Sequence, residues 1–351
     1  MSPRMERQAG NSVSPAFEAP DRAWNRLFAT AAKNDVALFL GAGTSIANRM
    51  PDWGRLAQRL AGLPEATASG GKLAGISFEA LFGIARRACG ANWHERVREE
   101  LYAGLLLQVG EIAARVPGLS SQDFGEAADG GSRARQFFEQ TNPVLTEIVR
   151  MCGDRGRGNS RVGAVLTTNI DGLIQLCDRA VHESRMLRTI ERSSARAELG
   201  KVSLYHLHGY LLPPPAGRRS SEAADRLVLT EEDYLVRNDD PNGWASSVLH
   251  FVLREFPTIF IGCSMADPLV RRALYRTLRE RESDLKAKYG EEVVPEKKKR
   301  RHFAVLKLDD DPARNELRGA ELSQLGVWPL WVESYDDELR SRLEHLRSLL
   351  R

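Results

Sequence analysis

Three polar side chains in the middle of the chain could act on a sugar or an amide: Asn169, Asp171 and His208. A carboxylate can stabilise positive charge that develops on a sugar ring, as in glycoside hydrolysis. An amide can hold a water molecule or a hydroxyl group, and an imidazole can accept a proton near neutral pH. Each residue also has a structural alternative, because Asn169 and Asp171 can cap the following helix and His208 can be a hydrogen-bonded core histidine.

A glycine-rich turn follows the first apolar segment of the chain. The five apolar residues Val36–Leu40 predict a buried parallel strand, and Gly41–Ser45 (Gly-Ala-Gly-Thr-Ser) follows it directly. Glycine lets a backbone approach a pyrophosphate closely, with its N–H groups facing the anion. The third glycine of the dinucleotide fingerprint is missing, because Ile46 stands in its place. A tight strand-to-helix turn without a ligand is therefore the alternative at this position.

Polar clusters of this kind follow four of the predicted strands. They are Gly41–Ser45, Thr167–Asp171, His208–Gly209 and Gly262–Asp267. In a parallel sheet the carboxyl ends of the strands lie at one edge, where open α/β sheets bind nucleotides. We therefore expect the four clusters to face a single crevice.

The elements that must position these clusters are predicted by the apolar periodicity of the chain. The predicted strands are Val36–Leu40, Val162–Leu166, Val202–His206, Leu227–Leu229, Thr258–Ile261, Phe303–Leu308 and Val327–Val332. The predicted helices are Arg22–Lys33, a helix with Asp52 as its N-cap, Phe78–Ala88, Trp93–Val109, Arg133–Met151, Trp244–Phe256, Pro268–Lys288 and Asp336–Arg351. This pattern predicts the α/β class, with a Rossmann-like parallel sheet flanked by helices.

The predicted organisation is a disordered tail at 1–20 followed by one domain over 21–351. The tail mixes Ser, Pro, Gly and charged residues without periodicity. The helices at about 63–151 separate the first two strands, so we expect an inserted helical subdomain there. The segment Glu291–Arg301, which includes the basic run Lys297–Arg301, predicts a solvated linker, with a nuclear or nucleic-acid-binding signal as the alternative.

Composition excludes several classes of protein. The chain has 351 residues, of which 42% are hydrophobic and 28% charged, so it can bury a core. Its net charge of +3 is too small to argue for nucleic-acid binding. The four cysteines form no CxxC pair, which disfavours a zinc ribbon and favours reduced thiols in a cytoplasmic protein. The apolar runs are too short to cross a membrane, and the N-terminus lacks a signal-peptide core.

Five short motifs, in this order, resemble those of the sirtuin superfamily. They are Gly41–Ser45, Pro51–Trp53, Thr168–Asp171, His206–Gly209 and Gly262–Ser264. Within that superfamily the chain looks like the bacterial sirtuin-like NADase effectors of anti-phage defence systems. Two further segments, Leu229–Tyr234 and Ser264–Pro268, also resemble that branch.

The resemblance implies that NAD is the substrate and assigns roles to the motif residues. Asn169 and Asp171 would lie near the nicotinamide ribose, and His208 would accept a proton. Gly262 and Ser264 would face the adenosine ribose. The residues implied to hold the pyrophosphate are Gly41, Ala42, Gly43 and Ser45. The NAD-binding set implied by the resemblance also includes Asp52, Thr168 and Asp267.

Three departures from deacylating sirtuins favour the NADase branch. The zinc ribbon is absent, so no metal is expected and acyl-lysine is a poor candidate substrate. The spacing from Asp171 to His208 is long, which makes Glu183–Gly200 a private insertion. Thr168 stands where a glutamine usually precedes the asparagine.

The expected activity is hydrolysis of NAD+ to nicotinamide and ADP-ribose, in a cytoplasmic effector that depletes NAD during phage infection. The alternatives are a catalytically silent sensor of NAD or ADP-ribose, or an assembly module, and a protein deacylase. Expected partners are further copies of the chain or a separate defence protein, such as a DNA-translocating ATPase or a short Argonaute. No direct binding to nucleic acid or membrane is expected. The chain has no GxxxxGK[ST] motif of its own.

Overall fold

The computed structural model contains a seven-stranded, all-parallel sheet in the order β5-β6-β4-β1-β7-β8-β9. The residues described are 20–63, 72–73, 75–124, 131–153, 161–182, 185–192, 195–214, 227–238, 243–290 and 296–351. The strands of the sheet are β1 Val36–Leu40, β4 Val162–Thr167, β5 Leu187–Ile190, β6 Val202–His206, β7 Thr258–Ile261, β8 His302–Lys307 and β9 Val327–Val332. A separate two-stranded hairpin pairs β2 Lys72–Leu73 with β3 Ile76–Ser77.

Strand β1 lies in the middle of the sheet and is buried on both faces. Val36, Leu38 and Leu40 belong to one apolar cluster, whereas Ala37 and Phe39 belong to a second cluster on the other face. This two-sided burial is typical of a parallel sheet covered by helices on both sides. The chain reaches β4 on one side of β1 and β7 on the other, so the strand order reverses at β1. A ligand crevice is expected at this reversal, and the predicted α/β Rossmann-like architecture is confirmed.

Helices cover both faces of the sheet. In chain order they are α1 Pro20–Ala31, α2 Trp53–Leu60, α3 Phe78–Cys89, α4 Trp93–Ala113, α5 Ser132–Thr141, α6 Pro143–Cys152, α7 Leu173–Val181, α8 Glu231–Asn238, α9 Trp244–Glu255, α10 Pro268–Tyr289, α11 Glu296–Lys299, α12 Pro312–Gln324 and α13 Asp337–Leu349. Helices α3 to α6, between β1 and β4, share one apolar cluster with β1. None of the helices in the described ranges combines the length and apolarity needed to span a membrane. All four cysteines are free thiols.

The helix predicted over Arg133–Met151 is two helices. Asn142 has an extended backbone (φ −146°, ψ 68°), and its side chain accepts a hydrogen bond from the Leu145 N–H. Pro143 follows at the first position of α6. A proline disfavours helical geometry in the residue before it, so the break falls at Asn142.

Two other predictions are corrected at the edges of the fold. The strand predicted at Leu227–Leu229 is wrong, because the structure assigns that segment to no strand, although Val228 N–H donates to His208 O (3.1 Å). The segment Glu183–Gly200, predicted as a private insertion, includes the edge strand β5, and its status as an insertion stays a prediction. Of the linker predicted at Glu291–Arg301, positions 291–295 lie outside the described residues, whereas the rest contains α11 and Arg300 is buried above Trp328.

Some predictions fall where the structure describes few residues. The tail predicted at 1–20 lies outside the described residues up to position 19, and α1 begins at Pro20. The boundary of the helical insertion near residue 63 adjoins undescribed residues, and its status as a subdomain stays a prediction.

Candidate active site

The glycine turns after β1 and β7 contact each other backbone to backbone. Gly43 N–H donates to Gly262 O (2.9 Å), and Gly41 N–H donates to Ile261 O (2.9 Å). A Cβ atom at Gly43 would lie 2.7 Å from Gly262 Cα, and one at Gly41 would lie 2.5 Å from Gly262 O. Gly262 itself has φ +68°, which favours glycine. All three glycines are therefore required by packing, and the turn they form leaves Gly43 and its neighbour Ala42 partly exposed.

Side chains from the inserted helices hold the turn after β1. Asn142 Nδ2 donates to Thr44 O and to Asn48 Oδ1, both at 2.8 Å. Gln108 Nε2 of α4 donates to Ala47 O (3.0 Å). These bonds satisfy backbone groups of an irregular loop that would otherwise be buried without partners. The helical insertion therefore fixes the shape of the glycine turn.

Asn169, Asp171 and Ser45 form one hydrogen-bonded cluster at the ends of β1 and β4. Ser45 Oγ donates to Asp171 Oδ2 (3.0 Å), and Asn169 Nδ2 donates to Gly41 O (3.1 Å). A weaker bond joins Asn169 Nδ2 to Ser45 Oγ (3.4 Å). All three side chains are less than 5% exposed. Asn169 Oδ1 is also buried and has no partner among the described residues.

Asp171 is a buried carboxyl group with a raised pKa. Burial raises its pKa to about 6, although hydrogen bonds from Leu173 N–H and the Ser45 hydroxyl oppose this change. The Leu173 bond (3.0 Å) shows that Asp171 also stabilises the start of α7, as the structural alternative proposed. Tyr102 of α4 supports the same turn, because its hydroxyl donates to Leu211 O and accepts from Gly172 N–H.

His206, the last residue of β6, positions the backbone of Asn169. Its Nδ1 lies 3.1 Å from Asn169 O, and its Nε2 lies 2.7 Å from Gln175 Nε2. A carbonyl oxygen can only accept, so Nδ1 carries the proton and Nε2 accepts from the glutamine. Burial lowers the pKa of His206 to about 4, which keeps the ring neutral. His206 is therefore a core histidine satisfied by a carbonyl, the arrangement that was an alternative for His208.

His208 belongs to a second cluster, with Asp267 and Tyr234. Its Nε2 lies 2.9 Å from Asp267 Oδ2 and 3.3 Å from the Tyr234 hydroxyl. The Tyr234 ring contacts the imidazole edge to face at 5.3 Å. His208 Nδ1 is buried and, within the described part of the chain, has no hydrogen-bond partner.

The His208–Asp267 contact crosses the edge of the sheet. His208 follows β6 and Asp267 follows β7, and β4 and β1 lie between those strands. Neighbouring strands are about 4.8 Å apart, so the two loops must bend toward each other over the ends of β4 and β1. The loops after β6 and β7 therefore contact each other at the edge of the sheet where β1 and β4 also end.

Burial of Asp267 opposes its ionisation. The hydrogen bond to His208, the charge of the protonated His208 ring and two backbone N–H groups act in the opposite direction. They outweigh burial, so the pKa of Asp267 is lowered. Those two N–H groups belong to Leu269 and Val270, at the start of α10. For Tyr234, burial and the charge of Asp267 raise the pKa of the phenol. Asp267 is thus ionised and Tyr234 protonated at neutral pH.

The remaining predicted residues lie at the periphery. Asp52 caps α2, as predicted, through a bond from Arg55 N–H (2.8 Å), and it is partly exposed. Ser264 is exposed, with its hydroxyl accepting from Ala266 N–H (3.3 Å). Thr168 is 9% exposed beside Asn169. Their contact with a ligand stays a prediction.

Sequence reasoning gave no role to Tyr102, His206, Gln175 or Tyr234. Tyr234 lies in one of the motifs, and His206 begins another, so their sequence context was a usable signal. Tyr102 lay in a predicted helix and Gln175 lay outside the predicted elements, and nothing local to either residue indicates its partner, Leu211 or His206.

Residues 163–327 match the family model described as SIR2-like domain. The match runs from β4 to the first residue of β9 and includes Asn169, Asp171, His208 and Asp267. It covers slightly less than half of the chain and leaves out β1, its glycine turn and the inserted helices. The match supports a sirtuin-like superfamily relationship and is consistent with an NAD-related function.

A comparison with curated proteins found no match. Within the described ranges, no group of three or more His, Cys, Asp or Glu side chains could hold a metal ion.

Proposed function

We propose that the protein hydrolyses NAD+ at the nicotinamide–ribose bond and releases nicotinamide and ADP-ribose. The observation that carries this proposal is a pair of buried atoms, Asn169 Oδ1 and His208 Nδ1, that have no hydrogen-bond partner among the described residues. A buried polar atom without a partner costs free energy, so a ligand that satisfies it is favoured. Ribose hydroxyl groups and water are donors of the kind that an amide oxygen requires.

The surroundings of this pair fit a dinucleotide. The N–H groups of Gly41 and Gly43 in the turn after β1 donate to Ile261 O and Gly262 O and so do not face an anion, but Ala42, Gly43 and Gly262 are partly exposed at the reversal of strand order, where a pyrophosphate can approach. Asn169 is bonded to that turn through Gly41 O, so the phosphate-binding and ribose-binding parts of the site are continuous. The family match over 163–327 supports the same ligand class.

The residues then have distinct tasks in the hydrolysis. The bond between ribose C1′ and the nicotinamide nitrogen breaks, and its electron pair leaves with nicotinamide. Asp171 stabilises the positive charge that develops on the ribose, since its carboxyl group is largely ionised above about pH 6. A water oxygen bonds to C1′ and loses one proton to His208. Asn169 holds the attacking water or a ribose hydroxyl.

In the cell, this activity would act in anti-phage defence by depleting NAD, as the resemblance to defence effectors implies. We propose a cytoplasmic protein that is regulated by self-assembly, by a DNA-translocating ATPase or by a short Argonaute. Helices α3 to α6 and α13 are the proposed contact surfaces. The alternative is a catalytically silent sensor, in which the same buried atoms bind NAD or ADP-ribose without turnover.

Alanine variants of the two central residues test the proposed reaction. Asn169→Ala and His208→Ala should each lower the rate of nicotinamide release by about 10²- to 10⁴-fold, the usual effect of losing a positioned acid–base group. Release is measured by chromatography, and the thermal unfolding midpoint reports whether the fold survives. Asn34→Ala changes an exposed residue of the same type as Asn169 and should keep full activity. Undiminished turnover in both site variants would contradict the proposal.

A further inference from the structure

We propose that Asp267 positions the His208 imidazole so that Nδ1 is the atom that accepts the proton. The proposal rests on the proposed hydrolysis and deepens it. It gives Asp267 a different task from the contact with NAD that the resemblance implies, because both of its carboxylate oxygens already have protein donors.

The hydrogen bonds of Asp267 fix its orientation. Oδ1 accepts from Leu269 N–H (2.8 Å) and from Val270 N–H (3.4 Å), which anchors the carboxylate to the first turn of α10. Oδ2 lies 2.9 Å from His208 Nε2. Because an ionised carboxylate can only accept, Nε2 must carry a proton, and the lone pair of the neutral ring is then on Nδ1.

The position of Tyr234 also leaves His208 Nδ1 without a hydrogen-bond partner. The Tyr234 hydroxyl lies 3.3 Å from Nε2 and so occupies the side of the ring that Asp267 also occupies. Nδ1 is buried, and no side chain or backbone group in the described ranges bonds to it. The imidazole is therefore held by one nitrogen, and the other has no hydrogen-bond partner in the described part of the chain.

The proton transfer balances with this arrangement. The water oxygen forms its bond to ribose C1′, and the proton it loses moves to Nδ1, while the proton on Nε2 stays shared with Asp267. The ionised carboxylate stabilises the resulting imidazolium, as the aspartate of a catalytic triad does. Asp267 touches neither the water nor the sugar in this scheme, so it is a positioning residue.

Asp267→Asn tests the proposal without removing the helix cap. The asparagine Oδ1 can still accept from Leu269 and Val270, but its Nδ2 presents a donor to Nε2. That donor favours the tautomer with the proton on Nδ1, in which the accepting lone pair is lost. We expect kcat for nicotinamide release to fall about 10²- to 10⁴-fold, with unchanged affinity for ADP-ribose by calorimetry.

Asp311→Asn is the matched control. Asp311 also precedes a proline and caps a helix, with its Oδ1 accepting from Ala313 N–H (2.9 Å). It follows β8 and takes no part in the His208 cluster. This variant should keep wild-type kcat, so a fall seen only in Asp267→Asn reflects the histidine and not the loss of a capping carboxylate.

Nitrogen-15 spectra of histidine-labelled full-length protein read the tautomer directly and need no turnover. The His208 signals are assigned by their loss in His208→Gln. We expect Nε2 protonated and Nδ1 unprotonated in the wild type, with the reverse in Asp267→Asn. A wild-type spectrum with the proton on Nδ1 alone, or wild-type kcat in Asp267→Asn, would overturn the proposal. The predicted tautomer in a wild-type protein that never releases nicotinamide would overturn the proposed function and, with it, the proton transfer.

Discussion

At the scale of single residues, the site separates two carboxyl groups by their surroundings. Asp171 is buried beside neutral donors, and its pKa rises to about 6, whereas Asp267 is buried against His208 and two N–H groups, and its pKa falls. Two titratable groups pushed in opposite directions are a common sign of distinct catalytic roles. In the proposed reaction, Asp171 stabilises the charge on the ribose and Asp267 positions the base.

The pH dependence of turnover should report Asp171. Because its pKa in the folded protein is about 6, lowering the pH through that value protonates the carboxylate that stabilises the ribose charge. We expect kcat to fall below about pH 6 in the wild type. Asp171→Asn should have a low kcat and a weaker acidic decline, since protonation of His208 at low pH still removes the proton acceptor. A wild-type kcat that stays constant well below that pH would contradict the role given to the carboxylate.

Asp171 should also lower the free energy of unfolding at neutral pH. A folded-state pKa raised from 3.8 to about 6 means that the folded protein binds this proton more tightly than the unfolded chain. The resulting destabilisation is absent below pH 3.8 and grows as the pH rises toward 6. Above about pH 6 it is complete and reaches at most ~3 kcal/mol.

Asp171→Asn keeps the acceptor for Leu173 and removes the buried charge. It should therefore raise the unfolding midpoint at about pH 8 and leave it unchanged at about pH 3. Denaturant or thermal unfolding at both pH values measures this difference. Equal stabilisation at both pH values would show that the effect does not come from ionisation.

At the scale of elements, glycine contacts decide how the loops after β1 and β7 meet. Gly43 and Gly262 leave no room for a Cβ atom between the two turns, so the fit depends on backbone alone. The side chain of Asn142 then joins this turn to α6. The element that the family match leaves out is thus held by both the sheet and the inserted helices.

Gly43→Ala adds only one methyl group but should strongly disturb the site. The added Cβ would lie 2.7 Å from Gly262 Cα, so one backbone segment must move, and we expect ADP-ribose affinity and nicotinamide release to be largely lost. Gly83→Ala is the contrasting control in α3, where an added Cβ meets nothing within 4 Å. It should stabilise the protein by about 0.5–1 kcal/mol, because alanine is the better helix former.

Calorimetry with ADP-ribose and thermal unfolding measure both variants. Wild-type affinity in Gly43→Ala would show that the turn adapts without affecting the site.

At the scale of the whole molecule, the sequence predicted the parallel sheet because its central strands are continuous apolar runs. Val36–Leu40 and Thr258–Ile261 are completely buried, and such runs need no long-range information to recognise. The edge strand β5 was missed because Arg188 is exposed and the strand has only four residues. Helix α12 was also not predicted, since only three of its residues are buried, Asn315, Gly319 and Leu322.

The sequence predicted the motif residues of the candidate site, but it did not predict most of the contacts between them. Asn169, Asp171 and Ser45 do meet, because each follows a strand at the same edge of the sheet. The bond between His208 and Asp267 joins residues 59 positions apart and depends on how two loops bend, which no local pattern encodes. Tyr102, 109 positions from Leu211, was given no role for the same reason.

The most direct test of the central claim is a product balance on purified full-length protein. NAD+ is incubated with the wild type and with an Asn169→Ala/His208→Ala double variant, and nicotinamide, ADP-ribose and remaining NAD+ are quantified over time. We predict that the wild type converts NAD+ into equal amounts of nicotinamide and ADP-ribose, while the double variant leaves it intact. Intact NAD+ in both samples after prolonged incubation, with ADP-ribose still bound by the wild type, would contradict hydrolysis and favour a sensor.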